Sequence, residues 1–532
     1  MTGIRLKHFA ETAVVAALLL IQFHFLSERI SCRSMPSGDE GSWMSVAAQL
    51  CRGEGFTTRW LEHPFLVPYS IPRPDDYRYP GLSIILAFSF NIFGISYHTA
   101  LWTVGFIAML WTMSVFLVCK TCFGPRTALL TMTLTVFSLL QLEWNTLVYS
   151  EGLFGLVLSL LVACSTKANF RATRWWAAVG AVTGLLYLVR PNAILFLAGL
   201  IPLLFRQRRR GCFPWKAVAV SLGSFCIVAL PWLARNAVQF GNPFHIAGSG
   251  GLLRLSSADP LTFSAFDFVN HYGLIRPLGA LGRGFISFFK DLDFFEHGLE
   301  IVPLALLCVA LTRRQRFYNG FIATGIAVTF LFCCYTEYMS WGGIRYFSSV
   351  IPFVYAYGIN ELVPLFGKVE RRIAASIPSI RNATGAVILL LCLGLLLFPV
   401  LYPHRFYERK YSAASCREFP QAEYSAKLSS LLSENRCYLA DGMAQMNFLW
   451  RFNCVGVQDF FDSTQVPRAM QTFSPSLGVF SRGEISTPRI QAVFRELGRE
   501  GYAVTPQDSV ADVTFFTISR NGPLGCMKGE SQ

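Results

Sequence analysis

Ser37-Gly38-Asp39-Glu40-Gly41-Ser42-Trp43 lies shortly after the first apolar run of the chain, about Phe9 to Leu26. Two adjacent carboxylates at a membrane edge are costly to desolvate and call for a functional explanation. The side of the membrane on which this stretch lies orients everything that follows it. Arg5, Lys7 and His8 precede the apolar run, and Ser27-Glu28-Arg29-Ile30 follows it. No small-x-small cleavage site follows the run, and Arg29 is incompatible with lipoprotein processing at Cys32. The run therefore reads as a retained signal-anchor helix.

The 532 residues are 53% hydrophobic, 14% aromatic and 15% charged, against about 25% charged in a soluble domain. Mean hydropathy is +0.42. These values describe a polytopic membrane protein. The net charge of +14 comes from short basic loops between apolar runs, where Lys and Arg set topology. No basic patch is interleaved with aromatics, so no nucleic-acid partner is expected. The fifteen cysteines are scattered. Cys119, Cys164, Cys226, Cys308, Cys333, Cys334 and Cys392 lie in or beside apolar runs as small hydrophobes, and no zinc or redox site is indicated. Cys416, Cys437, Cys454 and Cys526 could pair if their segment is extracytoplasmic.

Further apolar runs fall at about 98–119, 127–145, 151–166, 175–189, 191–205, 214–233, 299–312, 317–336, 345–364 and 384–402. Several are shorter than the roughly 20 residues that a bilayer requires. The loops Lys120–Arg126, Lys167–Arg174, Arg206–Lys216, Arg313–Arg316 and Lys368–Arg381 are basic. They share one side with the N-terminus, which the positive-inside rule makes cytoplasmic. Counting Leu82–Ile95 as a span would invert all of them. That segment is short and broken by Asn91 and Gly94, so it reads as a helix on the outer membrane face. The result is about eleven spans, N-terminus inside and C-terminus outside. The expected fold is an α-helical polytopic membrane module over 1–402, with a small extracytoplasmic α/β domain over 403–532. The polar segments 27–97, 144–151, 235–298 and 337–345 then share the outer side.

The outer segments carry the candidate chemistry. Trp43, Val46, Ala47 and Leu50 at helical spacing make Asp39-Glu40 the start of an amphipathic helix. Asp39 is either a helix cap, with Glu40 complementing the dipole, or a general base on an acceptor hydroxyl. Glu151 opens a span on the same side and reads as a cap or as a second functional acid, placing an acceptor or a metal. Arg190, Arg235 and Arg345 sit at outer span ends against the positive-inside trend. Each alone reads as an interface anchor; together they suit an anionic lipid headgroup. His63 reads as structural, or as an acid or metal ligand. Tyr338, Trp341 and Tyr346 read as an interface belt or a sugar platform, and Asp75-Asp76 as a turn or a metal site.

These pieces resemble, in order along about residues 5–365, the GT-C glycosyltransferases. The similar branch is that of protein O-mannosyltransferases and bacterial lipid A aminoarabinose transferases. Asp39-Glu40 resembles the acidic pair of the first outer loop. Tyr79-Pro80-Gly81-Leu82 resembles the proline motif opening a juxtamembrane helix, with Tyr79 in place of its first proline. Tyr149-Ser150-Glu151 resembles the second acidic site, which is often Asp. Leu188-Val189-Arg190-Pro191, Leu230 to Asn236 with Gly241-Asn242-Pro243-Phe244, and Arg345-Tyr346 through Pro352 are similar to later segments. The resemblance implies a polyprenyl-phosphate-linked sugar donor and an inverting transfer outside the membrane. It implies Asp39 as the base, and Glu40 and Glu151 as groups placing acceptor or sugar. Arg190, Arg235, Arg345, Tyr346, His63 and Tyr79 are the implied substrate contacts. The Glu–His metal pair of some relatives has no match here, which leaves a divalent metal open. The implied acceptor is a glycan, lipid or protein of the cell envelope, and the implied location is the cell membrane.

A lipid flippase would carry charges deep within spans and paired half-helices. Apart from Glu143, the charges here gather at span ends. A membrane anchor for 403–532 leaves the acidic pair and the 235–298 loop without a role. A polysaccharide polymerase or ligase would use the same chemistry on a longer glycan.

Overall fold

The apolar run after Arg5 and Lys7 folds into α1, Thr2–Ser31, of which Glu11–Ser31 is long and apolar enough to cross a membrane. The computed structural model describes residues 2–33, 36, 39–61, 70–167, 173–193, 215–245, 273, 275–291, 327, 329–331, 343–360, 432, 436–441, 453–457, 466–481, 485–510 and 513–520. These fall into two compact units: 1–31, 79–82 and 101–412; and 32–78, 83–100 and 413–532. This differs from the expected boundary at 402/403. The reason is strand pairing that takes residues 60–61 into the C-terminal sheet.

The first unit is helical. Two more helices match α1 in span length and hydropathy among the described residues: α4, Tyr97–Phe123, which begins in the second unit, and α9, Trp215–Phe240. Helix α5, Pro125–Phe137, and helix α6, Leu139–Trp144, divide the apolar run 127–145. Ser138 leaves helical ψ between them, and its hydroxyl accepts the Gln141 N–H as the cap of α6. Helix α7, Glu151–Lys167, and helix α8, Thr173–Val189, follow. Each is 17 residues, about 25 Å at 1.5 Å per residue. The runs 299–312 and 384–402 lie outside the described residues, as do most of 191–205 and 317–336.

The core of this unit joins Val15 and Leu18 of α1, Trp111, Val115, Phe116 and Cys119 of α4, and Ala128, Met132 and Val136 of α5. Cys119 and Cys122, spaced C-x-x-C on α4, form no disulfide, and Cys119 is fully buried in this core. Helices α8 and α9 meet through Gly180 and Gly184. A Cβ on Gly180 would overlap the Ser221 carbonyl, and one on Gly184 would lie 2.9 Å from Val228. This small-x-x-x-small spacing lets backbones approach where van der Waals contact rather than water expulsion drives packing.

Helix α9 runs through Pro231 to Phe240, so Arg235 and Asn236 belong to a helix and not to the start of the expected 235–298 loop. Gly241 ends it at φ 72°, and the Asn242 side chain accepts the Phe244 N–H at 2.9 Å. Helix α10, Ile275–Asp291, lies within that loop, and α11, Gly343–Ser348, leads into further helical residues to 360.

The second unit carries α2, Glu40–Cys51, which packs on β1, Thr57–Thr58. Strand β1 pairs antiparallel with β3, Arg73–Pro74. Strand β2, Trp60–Leu61, joins the sheet of the C-terminal part: β4 Cys437–Asp441, β5 Asn453–Val457, β6 Leu477–Ser481, β7 Tyr502–Val510 and β8 Val513–Arg520. The order is β2-β5-β4-β6-β8-β7. The first four strands are parallel and the last two antiparallel. Helices α12, Val466–Phe473, and α13, Pro488–Arg499, complete this α/β part. Phe480, Phe494 and Phe516 pack ring to ring at 5.2–5.8 Å. Cys437 and Cys454 form no disulfide with each other, and burial pushes the Cys437 thiol up to about 12.

Helix α3, Pro80–Phe93, is the segment that the charge pattern excluded as a span. Its 14 residues cover about 21 Å, less than the ~30 Å hydrocarbon core. It opens on Pro80, and Gly81 lies so close to the end of α8 that a Cβ would sit 2.9 Å from Val189.

Candidate active site

Asp39 occupies the N-cap position of α2, but its side chain caps no helix N–H. The Asp39 carboxylate instead accepts from Arg78 Nη2 at 2.8 Å, while Arg78 Nε donates to Ser42 Oγ at 2.8 Å. The guanidinium lies 5.4 Å from the Trp43 ring and 4.6 Å from the Tyr77 ring. The turn before it is tied down from within. Asp75 accepts the N–H groups of Tyr77 and Arg78 at 3.2 and 2.8 Å, and Asp76 pairs with the buried Arg73 at 2.9 Å. Burial, then the neighbouring Asp76, raise the Asp75 carboxyl above the usual carboxylate range. Asp75-Asp76 is therefore a turn and ion-pair element.

Glu40 turns away from this arrangement. Its carboxylate is fully buried, meets the Tyr97 hydroxyl at 3.1 Å, and pairs with Arg33 at 3.4 Å. The expected helper of Asp39 is thus held by other partners, because the next residue on a helix points about 100° around the axis.

In the first unit, Glu151 opens α7 fully buried between two arginines. Arg190 Nη2 lies 2.6 Å from its Oε1, and Arg345 Nε bonds the same oxygen. Arg190 Nε also donates to Ser150 Oγ at 2.6 Å. The Arg345 guanidinium lies over Tyr149 at 4.1 Å, and that of Arg190 over Tyr346 at 4.9 Å. Arg190 is buried rather than snorkelling to an interface. Gln141 on α6 bonds the Ser348 carbonyl at 2.6 Å, which docks the helix carrying Arg345. Glu151 Oε2 has no hydrogen-bond partner among the described residues. Two guanidinium groups and one carboxylate leave a positive centre with aromatic walls, suited to an oxyanion.

Tyr79, expected to touch substrate, is buried between Tyr187 at 5.4 Å and Trp232 at 5.8 Å. Arg235 lies over Trp232 and Phe240 at 4.7 and 5.2 Å, and bonds Asn236 at 3.0 Å. His63 lies outside the described residues. Among the described residues, no three His, Cys, Asp or Glu side chains gather as a metal site. Glu40 and Glu151, the acids nearest to such a role, are paired with arginines.

Sequence reasoning missed Arg78 and Ser42 as partners of Asp39, and Arg33 and Tyr97 as partners of Glu40. Arg78 stands 39 positions from Asp39, beyond any helical or strand period. The one local signal was its place beside the proline motif.

Residues 73–234, under a third of the chain, match the family model of dolichyl-phosphate-mannose-protein mannosyltransferases. By this match and by fold, the chain is similar to membrane glycosyltransferases of the GT-C type. Among particular proteins, the fold is similar to that of ArnT from Cupriavidus metallidurans bound to undecaprenyl phosphate. The TM-score is 0.59 at 13% identity, over 95% of this chain and 97% of that one. It is also similar to the oligosaccharyltransferase AglB from Archaeoglobus fulgidus, in complex with an inhibitory peptide and a dolichol-phosphate. There the TM-score is 0.56 at 12% identity, over 98% of this chain and 75% of that one. A search of the curated proteins found no match by sequence.

Proposed function

We propose that this protein transfers a sugar from a polyprenyl-phosphate-linked donor to a hydroxyl of an envelope acceptor. The transfer takes place on the outer face of the cell membrane, with inversion at the anomeric carbon. Asp39 is the general base. The observation that carries this is exposure: the Asp39 side chain keeps 30% of its accessible surface, while Glu40 and Glu151 keep none. A base must reach the proton that it removes, and of the three acids only Asp39 is open to do so.

In the step, Asp39 takes the acceptor O–H proton and the acceptor oxygen attacks the anomeric carbon. The bond from that carbon to the phosphate oxygen breaks, and its electron pair leaves with the polyprenyl phosphate. A developing phosphate charge needs a cationic partner, most of all in a water-poor site, and the Arg190–Arg345 pair has the chemistry for that role. Glu151 holds the two arginines side by side and lowers their mutual repulsion. Glu40 has a structural part, anchoring α2 to Tyr97 and Arg33. Arg78 orients Asp39 through a fixed hydrogen bond. The eleven-span topology, with the N-terminus cytoplasmic and 403–532 outside, belongs to the same proposal.

The test is mass spectrometry of envelope glycolipids, glycoproteins and glycans from cells carrying wild type or Asp39→Asn. One sugar should be missing from one acceptor class in the variant. An unchanged glycan profile with normal membrane levels of both proteins would overturn the reading.

A further inference from the structure

Residues 403–532 have no part in the chemistry proposed above, but their sheet borrows a strand from the loop that carries Asp39. Strand β2 lies at its edge in parallel register with β5, Trp60 opposite Cys454 and Leu61 opposite Val455. The Cys454 N–H donates to the Arg59 carbonyl at 3.0 Å. Trp60, Cys454 and Val455 are all buried, so this edge pairing is shielded from water.

Arg59 faces two ways. Its carbonyl belongs to the sheet edge, and its side chain reaches α2. Nε donates to Gln49 Oε1 at 3.1 Å, and Nη2 pairs with Glu54 at 3.2 Å. Gln49 is buried on the last turns of α2, and its amide nitrogen in turn donates to Glu54. Thr58 adds a second tie, its hydroxyl 3.5 Å from that of Ser45 on the same helix. The far end of α2 begins directly after Asp39. A continuous chain of hydrogen bonds and helix therefore links the C-terminal sheet to Asp39.

We infer that Arg59 is a positioning residue, and that the C-terminal sheet serves as a clamp that fixes α2 and so the angle of the Asp39 carboxylate. This rests on the reading of Asp39 as the base. A short helix presents its first residue accurately only when its body is immobilised, and misplacement of a catalytic group by about 1 Å can cost 100-fold in rate. An edge strand of two residues is weak by itself. The side chain of Arg59 makes this one consequential, because loss of the ladder bond and loss of the Gln49 contact release the same helix.

Two readouts test this on the full-length protein in detergent. In hydrogen exchange, Arg59→Ala should speed amide exchange of residues 40–51 at least ~10-fold and leave residues 477–481 and 513–520 unchanged. Arg59→Lys should restore part of the protection. Unchanged exchange in α2, or equal loosening of the whole sheet, would overturn the clamp.

In turnover of a polyprenyl-phosphate hexose that the wild type accepts, Arg59→Ala should lower kcat by roughly 10- to 100-fold with donor KM unchanged. Gln49→Ala should do the same, and the double variant should be no worse than either single one. Wild-type kcat in Arg59→Ala, alongside an inactive Asp39→Asn, would remove the positioning role. An active Asp39→Asn would remove the base assignment instead, and the exchange experiment would still decide the clamp.

Discussion

Asp39 stands at the N-cap of α2 yet gives its carboxylate to Arg78, 2.8 Å away and 39 positions along the chain. This separates two roles that one local sequence supports equally. A capping aspartate stabilises its helix; Asp39 leaves the helix N–H groups alone. Asp39→Asn should therefore cost little helix stability while lowering sugar transfer by about 10²–10⁴, the usual worth of a general base. Turnover beside a thermal melt checks both halves. A large melt shift with retained turnover would reverse the assignment.

Glu151 lies between Arg190 and Arg345 without solvent contact. Glu151→Gln removes the charge that balances them and leaves a buried guanidinium group, that of Arg190, facing the part-buried one of Arg345. Breaking a buried ion pair costs about 3–5 kcal/mol. The detergent-solubilised variant should melt well below wild type, and donor phosphate at saturating concentration should recover part of the loss, because an anion replaces the missing carboxylate.

The contact between α8 and α9 gives a test of packing alone. Gly180→Ala places a methyl against the Ser221 carbonyl and should destabilise by about 1–3 kcal/mol. Gly223 on α9 has open space where a Cβ would go, so Gly223→Ala should be neutral or slightly stabilising. Equal melts for the two variants would mean that the helices do not meet at Gly180.

Asp75 yields a pH dependence. Burial, then Asp76, raise its folded pKa above the ordinary 3.8. Its ionised form is thus disfavoured in the folded state. Any stability tied to the protonated form is fully present below the ordinary value and is lost as pH rises through the folded one. Asp75→Asn keeps an oxygen to accept the Tyr77 and Arg78 N–H groups and carries no charge. Its stability relative to wild type should rise between pH 4 and pH 7. Asp75→Ala, with two N–H groups left without acceptors, should be worse than both at either pH. Melts at the two pH values would distinguish these outcomes.

Topology can be tested from the exposed end of α13. Cysteine placed at Arg499, whose side chain is 76% exposed, should react with an impermeant reagent from outside, above the wild-type background. Cysteine at Arg208 should react only after permeabilisation. Labelling of both from one side would exclude the eleven-span arrangement.

Much of the fold was legible because membrane solvation simplifies it. Apolar runs announce helices, and the reading of α3 as something other than a span rests on the charge of the later loops together with its shortness, Asn91 and Gly94. Helix α13 and strands β4 and β8 lie within the 403–532 segment that reads as α/β. The divided run at Ser138 was not legible, since Ser and Thr occur within apolar helices without breaking them. Nor was β2: two residues carry no detectable period, and what makes Trp60-Leu61 a strand is the edge of β5.

By itself the sequence determined the class of molecule, the helical periods, and the acids and arginines from which a site could be built. These depend on local composition and on the cost of charge in a bilayer, and both are properties of short segments. Only the tertiary structure decided which acid is open and which are held. Asp39, Glu40 and Glu151 are chemically alike in sequence, and they differ because Arg78, Tyr97, Arg190 and Arg345 reach them from distant positions. Burial and charge pairing are set by what the folded chain brings alongside, and no spacing in the sequence encodes that.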